Sequence, residues 1–194
     1  MHKIPSDLEN PIDNIIFYFV EFFAPIFYKM GFTPNMITSL GNICTMIFIY
    51  YFLKKQFTLS AIFFFFSYVF DCLDGYVARS YNMISEFGDF YDHISDSFKT
   101  VIFVLLLIRM NKKLAMLYLP LLVILFGLMC FHLANQEIYY DKPEVSKTLQ
   151  IFKSLSNSET KFDAEKTMTY SRFFGCGTPI LLMTIIIANY KKSR

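Results

Sequence analysis

The sequence predicts an all-α fold: a multi-pass transmembrane helical bundle of five to six spans, preceded by an N-terminal interfacial amphipathic helix. Three observations predict it. The 194 residues are 55% hydrophobic and 19% aromatic but only 18% charged. The mean hydropathy of +0.41 comes from long apolar runs, several of them long enough to cross roughly 30 Å of hydrocarbon as helices. Eighteen basic and sixteen acidic side chains are too few to coat a soluble domain of this size. One membrane-embedded domain over residues 1–194 is therefore expected. The apolar content excludes a disordered chain. A net charge of +2, with no basic patch carrying interleaved stacking residues, excludes a nucleic-acid partner.

The N-terminal Met-His-Lys-Ile-Pro-Ser-Asp stretch lacks the basic flank and apolar run of a signal peptide, so membrane entry is expected through internal segments. In residues 11–30, Asn14, Tyr18, Glu21, Pro25 and Tyr28 recur at intervals of four, three, four and three. That period draws one polar stripe on a helix, which suits a helix lying in the membrane interface. Thr33 and Pro34 form a helix start, with Thr33 as cap and Pro34 in the first turn. The apolar run then continues to Leu53, giving a first span. Residues 57–79, 88–108 and 114–134 give three more, and about 173–190 a fifth. Residues 135–170 carry Lys, Glu, Asp and Ser and read as a polar, partly helical loop. Cys44, Cys72, Cys130 and Cys176 lie far apart without metal-ligand spacing and read as small core residues.

Six of the sixteen acidic residues fall between Asp71 and Asp96, where one predicted span ends and the next begins. An Asp near the centre of a span costs about 2.5–3.5 kcal/mol on insertion scales, so a cluster there needs compensation by cations, protons or water. On a helix Asp71, Asp74 and Ala78 share one face, as do Gly88, Asp92 and Asp96 on the next. A short link lets the two helices return antiparallel with these ridges facing. Carboxylates held so close would bind one or two Mg2+ or Mn2+ ions and leave open positions for phosphate oxygens. Gly75 and Ala78 remove bulk where a nucleotide could approach the backbone, and Arg79 offers a planar donor fork suited to a diphosphate.

Asp71, Asp74, Gly75, Ala78, Arg79, Gly88, Asp92 and Asp96 occupy all eight fixed positions of D-x2-D-G-x2-A-R-x8-G-x3-D-x3-D. In this the chain resembles the CDP-alcohol phosphotransferases. With each residue type at about 6% frequency, chance agreement at a given start is roughly 10⁻¹⁰. The resemblance implies an integral, multi-pass membrane enzyme of phospholipid synthesis, typically a homodimer. Such an enzyme moves a substituted phosphate from a CDP-linked donor to an acceptor alcohol and releases CMP. By position Asp71, Asp74 and Asp92 look like metal ligands, and Asp96 looks like a ligand or the general base. Gly75, Ala78, Arg79 and Gly88 match nucleotide and diphosphate contacts. Thr33 to Thr38 resembles the start of the family's first span, which makes Asn35 and Thr38 candidate nucleotide contacts.

The donor stays open between CDP-diacylglycerol, favoured by the short chain, and CDP-choline or CDP-ethanolamine used with diacylglycerol, hinted at by Asp92-His93 and Asp96-Ser97. A divalent-cation transporter is the rival from another class, but Arg79 beside the carboxylates suits a diphosphate better than an ion path. Four intact motif aspartates disfavour a non-catalytic scaffold. Asp89 is a possible extra ligand, while His93 and His132 read as packed or interfacial. Placing the carboxylates on the cytoplasmic side gives only a weak excess of basic residues inside.

Overall fold

The structure is a computed structural model, which describes residues 4–140, 152–156, 158 and 160–190. These form seven α-helices of 11 to 28 residues and no strand. In chain order they are α1 (Pro11–Lys29), α2 (Pro34–Leu53), α3 (Phe57–Ser80), α4 (Glu86–Met110), α5 (Lys112–Tyr139), α6 (Lys161–Ser171) and α7 (Gly177–Ala188). The helix starts follow local chemistry. Thr33 Oγ1 accepts from the Met36 amide with Pro34 in the first turn, as expected. Ser85 Oγ accepts from the Gly88 amide and opens α4, and Thr160 with Asp163 forms a capping box for α6.

The helices gather into two compact units. Among the described residues, the first holds Ile16–Lys112 and residues 180–190. Within it α2 and α3 run antiparallel, since Thr38 meets Asp74, Gly41 lies against Ser67 and Ser60 bonds the Phe48 carbonyl. A Cβ on Gly41 would sit 3.2 Å from the Ser67 carbonyl oxygen, so the glycine sets how closely the two helices approach. α4 runs parallel to α2 and antiparallel to α3. Asn42 of α2 donates to Tyr91 at 3.1 Å and Ser95 at 2.9 Å, and Phe64 meets Phe103 with ring centroids 5.6 Å apart. Ile37, Phe48, Phe64, Val77 and Leu107 fill the space between them. α1 buries Ile16, Phe17, Val20 and Ala24. It meets the later half of α3 through Phe17–Tyr76 and Phe27–Phe70, and the turn after α3 through stacked Tyr28 and Tyr81 rings 3.7 Å apart.

The second unit holds the N-terminal stretch through Ile15 and Lys113–Pro179. Ile4, Leu8 and Met168 form a small apolar core with Tyr139 against it. Asn10, fully buried, donates to the Arg172 carbonyl at 2.7 Å and to Thr178 Oγ1 at 2.9 Å. Asp13 accepts from the Gly177 amide at 3.1 Å and so caps α7. A Cβ on Gly175 would meet Asn10 Cβ at 2.8 Å, and one on Gly177 would meet Ile12 Cβ at 2.9 Å. The Gly-Cys-Gly run thus serves close packing.

Among the described residues five stretches are long and apolar enough to span a membrane: α1, α2, α3, α5 and the Lys161–Ala188 stretch that contains α6 and α7. The expected number holds but its membership differs. α1, expected to lie in the interface, qualifies by length and composition. α4, expected as the third span, does not qualify, because Glu86, Asp89, Asp92, Asp96, Lys99 and Arg109 are spread along it. The expected fifth span, about 173–190, opens on a 3-10 turn at Arg172–Phe174, and α7 with its 12 residues is about 18 Å long, too short to cross alone. The polar loop is partly helical, as expected. α5 continues to Tyr139 with Asn135 and Gln136 buried, and α6 lies inside the same stretch. Residues 141–151, 157 and 159 of that loop lie outside the described residues. All four cysteines are free, with Cys44 and Cys130 buried.

Candidate active site

The antiparallel return of α4 along α3 brings the two carboxylate ridges together. The link is Tyr81–Ser85, shorter than expected because α4 starts at Glu86. Its tightness rests on Asn82, which takes a left-handed φ of 53°. One carboxylate oxygen from each of Asp71, Asp92 and Asp96 lies within 4.8 Å of the other two. That spacing is within reach of one hard cation after small side-chain adjustment. Asp92 Oδ1 is buried and has no hydrogen-bond partner among the described residues, the condition of a ligand awaiting a cation. The donor set is all oxygen with no thiol or imidazole in it, which suits Mg2+ or Mn2+. These residues fit a divalent metal.

Asp74 is not one of the three whose oxygens converge within 4.8 Å. Its carboxylate is buried and accepts from Thr38 Oγ1 at 2.6 Å. The Pro34 carbonyl is a second acceptor near the same hydroxyl, at 3.1 Å. Thr38, expected as a nucleotide contact, is here the partner of Asp74. Asn35 is brought to the motif as well, because a Cβ on Gly88 would lie 3.0 Å from Asn35 Oδ1 and 2.9 Å from Ser85 Oγ. Only glycine leaves room for that approach. Arg79 folds back over Gly75, its Nη1 3.0 Å from where a Gly75 Cβ would stand. Ala78 sits one turn beyond Asp74 on α3, beside Arg79. Asp89 does not join the cluster. Its side chain is exposed, as is His93, whose Nδ1 lies 2.8 Å from the Asp89 backbone oxygen. His132 is buried against Ser171 Oγ and Gln136, as a packed residue.

Two features of the site escaped the sequence reading. Lys99 places its ammonium 2.7 Å from Asp71 Oδ1 and 2.6 Å from Asp96 Oδ1, with only 12% of its side chain exposed. A lone lysine inside a predicted span, three residues after an aspartate, was the available signal. The second is a polar network of Ser39, Asn42, Tyr91 and Ser95 between α2 and α4. It fixes the register of the helix that carries Asp92 and Asp96. Its members are scattered in sequence, so no motif announces it.

A family model, CDP-alcohol phosphatidyltransferase, matches residues 32–156. The match covers well over half of the chain and contains every site residue above, so the chain belongs to the CDP-alcohol phosphatidyltransferase family. No curated protein and no solved structure matches it. Membership implies phosphatidyl transfer from a CDP-alcohol within a membrane. The five apolar stretches agree with an integral membrane protein.

Proposed function

We propose that this chain is a metal-dependent CDP-alcohol phosphatidyltransferase of phospholipid synthesis. Its donor is CDP-diacylglycerol, its acceptor a small alcohol, and CMP is released. The observation that carries this reading is the convergence of Asp71, Asp92 and Asp96 from two helices, with Arg79 held over Gly75 on the same helix as Asp71. Asp71 and Asp92 would hold a divalent cation, with Asp96 beside them and Asp74 steadied by Thr38. Such a cation supplies charge neutralisation for the donor's diphosphate and the leaving CMP. Arg79 is placed to pair with diphosphate oxygens, and Gly75, Ala78 and Gly88 keep the backbone open to the nucleotide. Asn35, against Gly88, lines the same approach.

Asp96 has about half of its side chain exposed, so an acceptor hydroxyl can reach it. It takes the proton as the alcohol oxygen bonds to phosphorus and the bond to CMP breaks. The exposure of His93 and its pairing with Asp89 give no support to an aminoalcohol donor read from the Asp-His pair. Residues 1–194 are taken as one enzyme domain, because the family match runs through both compact units. A homodimer with the site on the cytoplasmic side is the further expectation from the family.

The test uses purified protein in lipid, offered radiolabelled CDP-diacylglycerol, or CDP-choline with diacylglycerol, against a panel of alcohols while CMP is measured. CMP release only with CDP-diacylglycerol and one small alcohol supports the reading, and release only with CDP-choline overturns the donor assignment. Excess EDTA should abolish turnover, with Mg2+ or Mn2+ restoring it. Undiminished CMP release in EDTA would sink the metal role.

A further inference from the structure

The carboxylates of the site already hold a cation of the chain's own. Lys99 lies one turn beyond Asp96 on α4 and reaches across to α3, so that a single ammonium contacts Asp96 Oδ1 at 2.6 Å and Asp71 Oδ1 at 2.7 Å. Its side chain is largely enclosed. The lysine is therefore held in the site and does not trail into solvent. Asp71 and Asp96 are two of the three residues whose oxygens converge. Asp92, the third, has an oxygen that is buried and without a partner among the described residues. Two of the three carboxylates thus share one ammonium, whose single charge balances one of them, and Asp92 keeps an unfilled oxygen.

We infer that Lys99 is a positioning residue, a resident counter-cation that holds Asp71 and Asp96 together when metal is absent and that a divalent cation held by Asp71 and Asp92 must displace from Asp71. This rests on the metal-site reading above. The chemistry of both states is simple charge balance. Without a cation, clustered carboxylates on two packed helices repel one another and push the ridges apart. With the ammonium between them the helices keep their register, and the pocket is preformed before any ligand arrives. A divalent ion and an ammonium drawn to the same carboxylate, Asp71, repel each other in turn. The lysine stem has four rotatable carbons, so the ammonium can swing off Asp71 and Asp96 without moving α4. The exchange weakens metal affinity and keeps the metal-free enzyme folded.

The prediction has two readouts that do not depend on turnover. Wild type and Lys99→Met, purified in lipid nanodiscs, are titrated with Mn2+ while the free ion is followed by electron paramagnetic resonance. Thermal unfolding is recorded with and without the ion. Lys99→Met should bind Mn2+ more tightly, by about five- to 150-fold, the usual size of the coupling between two groups that oppose each other's binding. Its metal-free form should melt at a lower temperature than wild type, with much of the gap closed by Mn2+. Lys99→Arg, which keeps the charge, should return affinity and melting toward wild type. If Lys99→Met does not survive purification without metal, Lys99→Gln prepared in Mn2+ and then dialysed gives the same affinity comparison.

Equal or weaker Mn2+ binding by the neutral variants, with wild type binding normally, overturns the role of Lys99 and leaves the metal site standing. Weaker binding would mean that the lysine orients the ligands and does not compete for them. Equal melting losses with and without the ion would make Lys99 a structural pair only, and would also overturn it. Failure of wild type and variants alike to bind Mn2+ would overturn the metal-site reading together with this inference.

Discussion

At the scale of single residues, the four motif aspartates have different surroundings and should fail differently when altered. Asp96 is half exposed beside Lys99, whereas Asp71 is more enclosed and bonded to the same ammonium. Asp96→Asn keeps size and most hydrogen bonding but is a far poorer proton acceptor. Positioned bases contribute about 10² to 10⁴ in rate, so turnover should fall by that order. Metal-dependent CDP-donor binding should stay within several-fold. Asp71→Asn should weaken both. Donor titration in Mg2+ beside turnover separates them, and if Asp96→Asn loses donor binding as badly as Asp71→Asn, Asp96 is chiefly a ligand. Asp74 depends on Thr38, whose hydroxyl donates to it at 2.6 Å. A hydrogen bond to a charged group contributes about 1.5–3 kcal/mol. Thr38→Val should therefore lower CMP release at least about tenfold, and Thr38→Ser should restore most of it. A fully active Thr38→Val would show that Asp74 needs no such partner.

At the scale of helices, the site depends on α2, α3 and α4 keeping close register. Gly41 permits the α2–α3 approach, its missing Cβ facing a backbone oxygen that cannot yield as a flexible side-chain tip does. Gly41→Val should force the helices apart. Overpacking of this kind costs about 1–3 kcal/mol, to be read as a lower unfolding temperature in detergent. Gly127→Ala is the contrast, because its new Cβ would meet only a Phe152 ring carbon at 3.9 Å. There the higher helix propensity of alanine should leave stability equal or raise it. Comparable losses at both positions would mean that the α2–α3 contact has no special tightness. Between α2 and α4, Asn42 donates to both Tyr91 and Ser95, so Asn42→Leu should cost about 0.6–1.7 kcal/mol, the range of interhelical polar contacts in membranes. Turnover should fall with it, since this contact orients Asp92 and Asp96. The same unfolding assay, paired with CMP release, checks both.

At the scale of the molecule, the open issue for function is how α1 meets the bilayer. Its buried edge is Ile16, Phe17, Val20 and Ala24, while Tyr18, Phe19, Glu21, Phe22 and Phe23 are all exposed. The polar stripe thus shares its outer surface with large aromatic rings. An interfacial helix should let a cysteine at Glu21 react with a water-soluble maleimide in intact vesicles and protect one at Phe19 or Phe23. A spanning helix should protect all three, because each would lie near mid-membrane. The first pattern leaves a lateral path for a lipid donor along α1 toward α3, and the second would make α1 a full span.

Much of this protein was determined by sequence alone, and for local reasons. Helix starts at Thr33 and Pro34, apolar runs of spanning length, and eight motif residues at fixed intervals all follow from neighbours along one chain segment, where helical periodicity assigns a face without knowledge of the partner helix. Packing decided what those rules do not reach. Which carboxylates converge depended on packing: α2 against α3 set Thr38 on Asp74, and the return of α4 along α3 brought Asp92 and Asp96 to Asp71. Lys99 became part of the site because an ammonium one turn past Asp96 could cross to Asp71. The fate of residues 135–139 as helix, and of the Gly-Cys-Gly run as a seat for Asn10 and Asp13, likewise rested on contacts between residues more than a hundred positions apart or on burial that composition does not report. Periodicity is a property of one helix, whereas ion pairs, close glycine contacts and shared hydroxyls are properties of two, and only the folded chain brings the second helix to the first.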